Sequence, residues 1–167
     1  MALVEIRGVG SCTGDVIVLA AQRLVRKALC LTLTPGIVFK SQSPGVQDLV
    51  AGRIKGECVG ESFYAPSNEI RLTDDRKHSY VVEAYCVNFE KANPGEMDTF
   101  SFGLIDARSQ RIILAGQKVG LSMEAIQSAL WIALEGITDE QIKGRVPVSN
   151  EDIKAARGLL RDVSERR

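Results

Sequence analysis

The feature that most constrains this chain is a change of period near residue 102. Before it, short runs of β-prone residues alternate with turn formers; after it, apolar residues recur at helical spacing. The early runs are Leu3–Arg7, Val16–Ala20, Ala28–Leu33, Ile37–Lys40, Ile70–Thr73 and Tyr80–Phe89. Thr34-Pro35-Gly36, Ser43-Pro44-Gly45, Pro66-Ser67-Asn68 and Asn93-Pro94-Gly95 punctuate them. A Pro-Gly pair supplies a fixed φ followed by a positive one, as type II turns require. Several short strands parted in this way point to an antiparallel β-sandwich.

Past residue 102, Ser122 is placed to cap a helix over Met123–Leu134. On it Ile126, Leu130 and Leu134, with Ala129 and Ala133, share one face, and Gly136 suits the C-cap. Thr138 precedes a short helix opening with Asp139-Glu140-Gln141-Ile142, whose acids lie at the positive end. Ser149 opens a third, with Asp152 where a capping box needs a carboxylate and an apolar line of Ile153, Ala156, Leu159, Leu160 and Val163. Leu104–Gln117 reads as a further helix or, at Ile112-Ile113-Leu114, as a strand. Each half alone offers a thin core. The expected fold is therefore α+β in one domain, 1–167: an N-terminal antiparallel β-sandwich portion (1–102) and a C-terminal helical portion (103–167) sharing one core.

Twenty-one Lys and Arg balance twenty-one Asp and Glu, and neither sign gathers into a block. That argues against nucleic acid or an anionic membrane surface as partner. No run approaches the ~20 apolar residues of a membrane span. The first seven residues read as a strand, not as a signal peptide. A cytoplasmic location is expected for the chain as written, and a secreted or cell-surface one if it is a trimmed domain.

The single histidine, His78, removes any mechanism needing two. Cys12, Cys30, Cys58 and Cys86 form no CxxC or CxxH pair, so neither a zinc site nor another metal or cofactor is expected. Reduced thiols are expected ahead of disulfides, with Cys30 inside a core strand. Cys86 is the one low-priority reactive thiol, but on an extended strand His78 would lie over ~20 Å away. Packing near the core is the simpler role for Cys86. Gly8–Gly14 lacks the ending of a phosphate loop and reads as a hairpin connection. Asp15, Asp48, Asp74 and Asp75 do not have EF-hand spacing, and Asp74-Asp75 reads as a turn. Trp131 is expected to anchor its helix against the sheet. Tyr64, Tyr80 and Tyr85 could together line a shallow sugar or peptide site.

Two segments resemble a family. Tyr85-Cys86-Val87 is similar to the aromatic–Cys–aliphatic motif of the thioester domains on Gram-positive bacterial surface adhesins. Ile126-Gln127-Ser128-Ala129-Leu130-Trp131 resembles that family's helical motif Thr-Gln-x-Ala-(Ile/Val)-Trp. The resemblance implies a β-sandwich with a helical cap. It also implies a cysteine, here Cys86, able to form a thioester with a glutamine and capture a host amine. Ile126 and Leu130 depart from the helical motif. The family's separate hydrophobic–Gln–hydrophobic motif is not found, since the only glutamine past Gln127 is Gln141, in a polar helix. Gln127 also has a structural role open to it, hydrogen-bonding an edge strand to fix how the helix docks.

The leading functional reading is a non-enzymatic binding module for a protein, peptide or sugar ligand, presenting the loops Ser41–Gln47 and Ala92–Asp98. One alternative is a thioester or thiol-reactive adhesion domain using Cys86, with Tyr85, Gln127 and Trp131 as motif residues. The other is an enzyme using a carboxylate pair the sequence does not single out.

Overall fold

The alternating runs do form strands, but the sheet they build closes on itself. In a computed structural model that describes residues 1–10, 13–60 and 63–165, the chain orders nine strands before four helices. The strands are β1 (Ala2–Gly8), β2 (Thr13–Arg23), β3 (Leu29–Leu31), β4 (Ile37–Ser41), β5 (Leu49–Cys58), β6 (Tyr64–Pro66), β7 (Ile70–Leu72), β8 (His78–Cys86) and β9 (Thr99–Ile105). The helices are α1 (Ala107–Lys118), α2 (Met123–Glu135), α3 (Asp139–Arg145) and α4 (Asn150–Glu165).

The strands run in the order β4-β9-β1-β2-β8-β5, and β4 pairs back onto β5 through Val38↔Val50 and Phe39↔Leu49. The result is a closed six-stranded antiparallel barrel, not the expected β-sandwich, although the mixed α+β composition holds. The reason lies largely in β5. It breaks register with β8 between Ala51 and Arg53 and again between Ile54 and Gly56. Such bulges bend a strand and raise its twist. Bent in this way, one edge of β5 serves β4 at its start and β6 at its end, through Gly56↔Pro66 to Cys58↔Tyr64. The short ribbon β3–β7 stands apart from the barrel sheet. β1 and β2 form the hairpin expected around Gly8–Gly14, with Ser11 and Cys12 outside the described residues.

Side-chain alternation along β8 divides the core in two. Tyr80, Val82, Ala84 and Cys86 join Ile6, Leu19, Phe39, Leu49 and Ile54 in the main cluster, whereas Tyr85 packs with Val50 beneath the helices. That second cluster is completed by Ile112 and Ile113 of α1, Ile126 and Leu130 of α2, and Leu159 of α4. α1, α2 and α4 thus cover the outer wall made by β5 and β8, whereas Ile142 of α3 packs in the main cluster. The period near Ile112 resolves to helix, because Asp106 ends β9 and accepts the Ser109 N–H at 2.7 Å to start α1. The expected caps form, with Ser122 accepting from Ala125 N–H, Gly136 at φ 70° and Asp152 and Ser149 exchanging hydrogen bonds, and Thr138 and Gln141 add a capping box that was not expected. Gly36 is held at φ +87° with no room for a side chain, since a Cβ there would lie 2.5 Å from Gln110 Cβ. Among the described residues, no helix is long and apolar enough to cross a membrane.

Candidate functional site

Three of the four motif residues meet where β8 passes under α2. Gln127, buried in the middle of α2, grips the backbone of Cys86 at both ends of its carboxamide. Its Oε1 accepts from the Cys86 N–H at 2.8 Å, and its Nε2 donates to the Cys86 carbonyl at 2.8 Å. The same Oε1 accepts from the Thr13 hydroxyl of β2 at 2.8 Å. A helix side chain therefore acts as one more rung on the end of the barrel, the structural role the sequence left open for it. Cys86 itself is fully buried, with its side chain in the barrel core. Tyr85 faces the opposite way, under α2.

Trp131 is also fully buried and stands edge-on to Phe89 at 5.0 Å between ring centroids. It does anchor α2 on the sheet side. The Phe89 N–H donates to Glu135 at 2.8 Å, and the Arg145 guanidinium lies over the Phe89 ring, 5.2 Å from its centroid. The segment leaving β8 is thereby clamped between α2 and the end of α3.

That clamped segment leads into the loop Ala92–Asp98 picked out from sequence, and the loop Ser41–Gln47 is bound to it. Gln47 N–H donates to the Ala92 carbonyl and Ala92 N–H to the Gly45 carbonyl, both at 3.0 Å, making a parallel bridge at Val46↔Ala92. The Gln47 carboxamide, fully buried, lies 2.9 Å from that of Asn93. Arg145 donates to the Lys91 carbonyl and to Asn93 Oδ1. Asp98 accepts the Gly95 N–H at 2.7 Å. A hydrogen bond from Ser43, with the Gly95 N–H, holds the Asp98 carboxyl below the usual range. At the base, Asp48 accepts from Ser41 N–H at 3.0 Å and pairs with Lys40 at 2.8 Å. Burial pushes that carboxyl up, but these contacts outweigh it and leave it lowered. Gln42, Pro44, Glu96 and Met97 remain exposed on the rim.

The outer wall carries a charge that the sequence reading passed over. Glu83, 1% exposed, receives the Tyr85 hydroxyl at 2.6 Å and Gln117 Nε2 at 3.0 Å on one oxygen, and Arg53 Nε at 3.0 Å on the other. Burial first, then the neighbouring Glu83, push the Tyr85 hydroxyl far above its ordinary value. Every strong acceptor site is filled, which fits a buried joint between β8 and α1. Its signal in the sequence was a lone charge within Tyr80–Cys86. Gln47, Phe89 and Arg145 carried no comparable mark.

Other expectations need correction. Cys30 lies on β3 but is exposed, its thiol donating toward Glu69 at 3.4 Å. That hydrogen bond raises its pKa, and burial raises that of Cys58, so neither is primed as a thiolate. Tyr80 and Tyr85 are buried on opposite faces of β8, so the three tyrosines line no common surface. His78 is not a solvated turn residue. It opens β8, one strand length from Cys86, with Nδ1 2.6 Å from Glu57 and Nε2 2.9 Å from Asp74. Those two carboxylates raise its pKa. Both are occupied by the imidazole, in a shallow cleft of about 330 Å³ that also involves Cys58 and Lys77. A groove of about 290 Å³ between α1 and α4 is lined by Ala115, Val119, Leu159 and Val163, and none of the motif residues reaches it. Among the described residues, no three His, Cys, Asp or Glu side chains converge as a metal site would need.

No protein-family model matches the chain, and neither a curated protein nor a solved structure matches it.

Proposed function

We propose that this chain is a non-enzymatic binding module whose recognition surface is the joined pair of loops Ser41–Gln47 and Ala92–Asp98. The observation that carries the reading is their mutual locking: a backbone bridge, a buried Gln47 and the Arg145 contacts hold two distant segments as one unit. Loops set in advance lose little conformational entropy when a ligand arrives, which is the usual route from a rigid scaffold to affinity. The exposed rim combines the polar Gln42 and acidic Glu96 with the apolar Pro44 and Met97, and suits a protein, peptide or sugar ligand. The test is a panel of peptide and glycan arrays probed with the unmodified protein and with a Gln42→Ala/Glu96→Ala/Met97→Ala variant. Discrete features bound by the first and lost by the second are expected. Features bound equally by both would remove the loops as the site.

A second reading, covalent amine capture by Cys86 as in the thioester domains, is favoured by the attachment of α2 to Cys86 through Gln127. Thioester formation joins the Cys86 sulfur to a glutamine acyl carbon and expels ammonia. The carboxamide of Gln127 is already committed at both ends to the Cys86 backbone, so this glutamine holds the strand instead of offering its acyl group. Intact mass under denaturing conditions separates the readings: a mass short by one ammonia supports capture chemistry, and the full mass supports the binding module.

A further inference from the structure

Two of the barrel's six seams are short, β4–β5 and β1–β9, each pairing at two positions, and the second leaves much of β1 without a partner on that side. β1 and β9 pair only at Ile6↔Phe100 and Arg7↔Thr99, with one more bond from Gly8 N–H to the Asp98 carbonyl at 3.0 Å. Beyond these the two strands part. β1 has a fixed parity: Val9 bonds Val16 and Leu24 bonds Met1 across the hairpin with β2, so the odd-numbered residues serve β2. In an antiparallel strand the even-numbered ones then face the other side. Gly8 does so. Ala2 and Val4 do so as well, and no ladder or loop partner on that side receives them among the described residues. On β9, Thr99 and Ser101 serve β4, and Phe102 faces the same seam. The side chains there are apolar and only partly covered. Val4 and Ala2 are half-buried, Phe102 is 50% exposed and Leu104 88% exposed.

Two unsatisfied strand edges with apolar residues between them are a template for another strand. The mouth of the seam also has a sign. The turn after β2 begins where Leu24 bonds Met1, and it places Arg26 and Lys27 on the exposed surface. Neither makes an ion pair among the described residues, whereas Lys77 close by is matched by Glu5 at 2.6 Å. We propose that the seam between β1 and β9 binds an extended, apolar–acidic segment of a partner protein, added antiparallel to β1. Its backbone pairs with Ala2 and Val4, its inward side chains cover Val4 and Phe102, and its carboxylates at the C-terminal end lie against Arg26 and Lys27. This is strand addition with the charge setting direction and the apolar side chains setting register. The site lies at the opposite end of β1 from the loop surface, so each is testable alone.

The probe is a short labelled peptide alternating valine with threonine and ending in two glutamates, followed by fluorescence anisotropy at low and moderate salt. Binding is expected to be roughly 10-fold weaker for the same peptide ending in two lysines, and to weaken with salt. Val4→Pro removes a seam-facing N–H while leaving the bonds to β2, and is expected to weaken binding by about 10-fold or more. Arg26→Glu/Lys27→Glu, an exposed change that leaves the core intact, is expected to reverse the preference between the two peptides. The Gln42→Ala/Glu96→Ala/Met97→Ala variant is expected to bind the probe unchanged. Failure of the acidic peptide to bind, or binding indifferent to both seam variants, overturns the proposal. So does concentration-dependent self-association abolished by Val4→Pro, which would make a second copy of this chain the occupant.

Discussion

Replacing Gln127 by methionine tests how α2 is fastened to the barrel. The side chain is 1% exposed and makes three hydrogen bonds of 2.8 Å, two to the Cys86 backbone and one to Thr13. Methionine keeps the length and nearly the volume, so the change removes polar contacts without opening a cavity. At a net ~1 kcal/mol per hydrogen bond, the loss is about 3 kcal/mol. For a chain of this size that corresponds to a Tm lowered by roughly 6–12 °C. Urea denaturation reads the same quantity as a lower midpoint at unchanged slope. The control is Ser128→Ala, one residue on and equally buried, whose hydroxyl bonds only its own helix at the Glu124 carbonyl. It is expected to cost less than ~1 kcal/mol. A Gln127→Met protein no less stable than the Ser128→Ala control would refute the view that this glutamine docks the helix.

Other consequences follow from single contacts. Gly36→Ala combines a positive φ with a Cβ placed 2.5 Å from Gln110 Cβ, and is expected to cost at least ~2 kcal/mol by thermal unfolding. Trp131→Ala empties a fully buried site against Phe89 and is expected to cost about 3–5 kcal/mol by the same measurement. His78 is raised by Glu57 and then Asp74, so the folded state holds its proton more tightly than the unfolded chain. Its contribution is complete below the unfolded value of ~6.5 and is lost as pH rises through the higher folded value. Stability of the unmodified protein should therefore fall across that window, and His78→Gln should flatten the slope. An unchanged slope in the variant would assign the fall to other groups.

Much of the secondary structure was legible because its signals are local. Caps at Ser122, Ser149 and Gly136 depend on residues within three or four positions, and all three form. Closure of the sheet is not local. It depends on β5, whose Gly52, Arg53, Lys55 and Gly56 hide the alternation that marks a strand, and whose bulges let it serve two neighbours on one edge. A reader of sequence sees strands and turns, which suit a sandwich and a barrel equally. β9, Thr99–Ile105, is absent from the sequence-marked runs for a related reason: it crosses residue 102, where the helical period begins in the sequence. Cys86 and Gln127 meet because α2 docks on the end of β8, a long-range contact that spacing along the chain does not encode. The two loops were marked by turn residues, but their contact rests on Gln47 and Arg145, which share no pattern visible along the chain. Glu83 is the converse case, a lone charge in an apolar run whose buried partner set is visible only in the fold.

Under the proposal, recognition belongs to the joined loops and not to the thiol at Cys86. The most direct measurement compares array binding by the unmodified protein, by Cys86→Ala and by Gln42→Ala/Glu96→Ala/Met97→Ala, with elution under denaturing conditions. Binding is expected to be reversible, kept by Cys86→Ala and lost by the loop variant. Signal that resists denaturing elution, disappears with Cys86→Ala and survives the loop replacements would contradict the proposal.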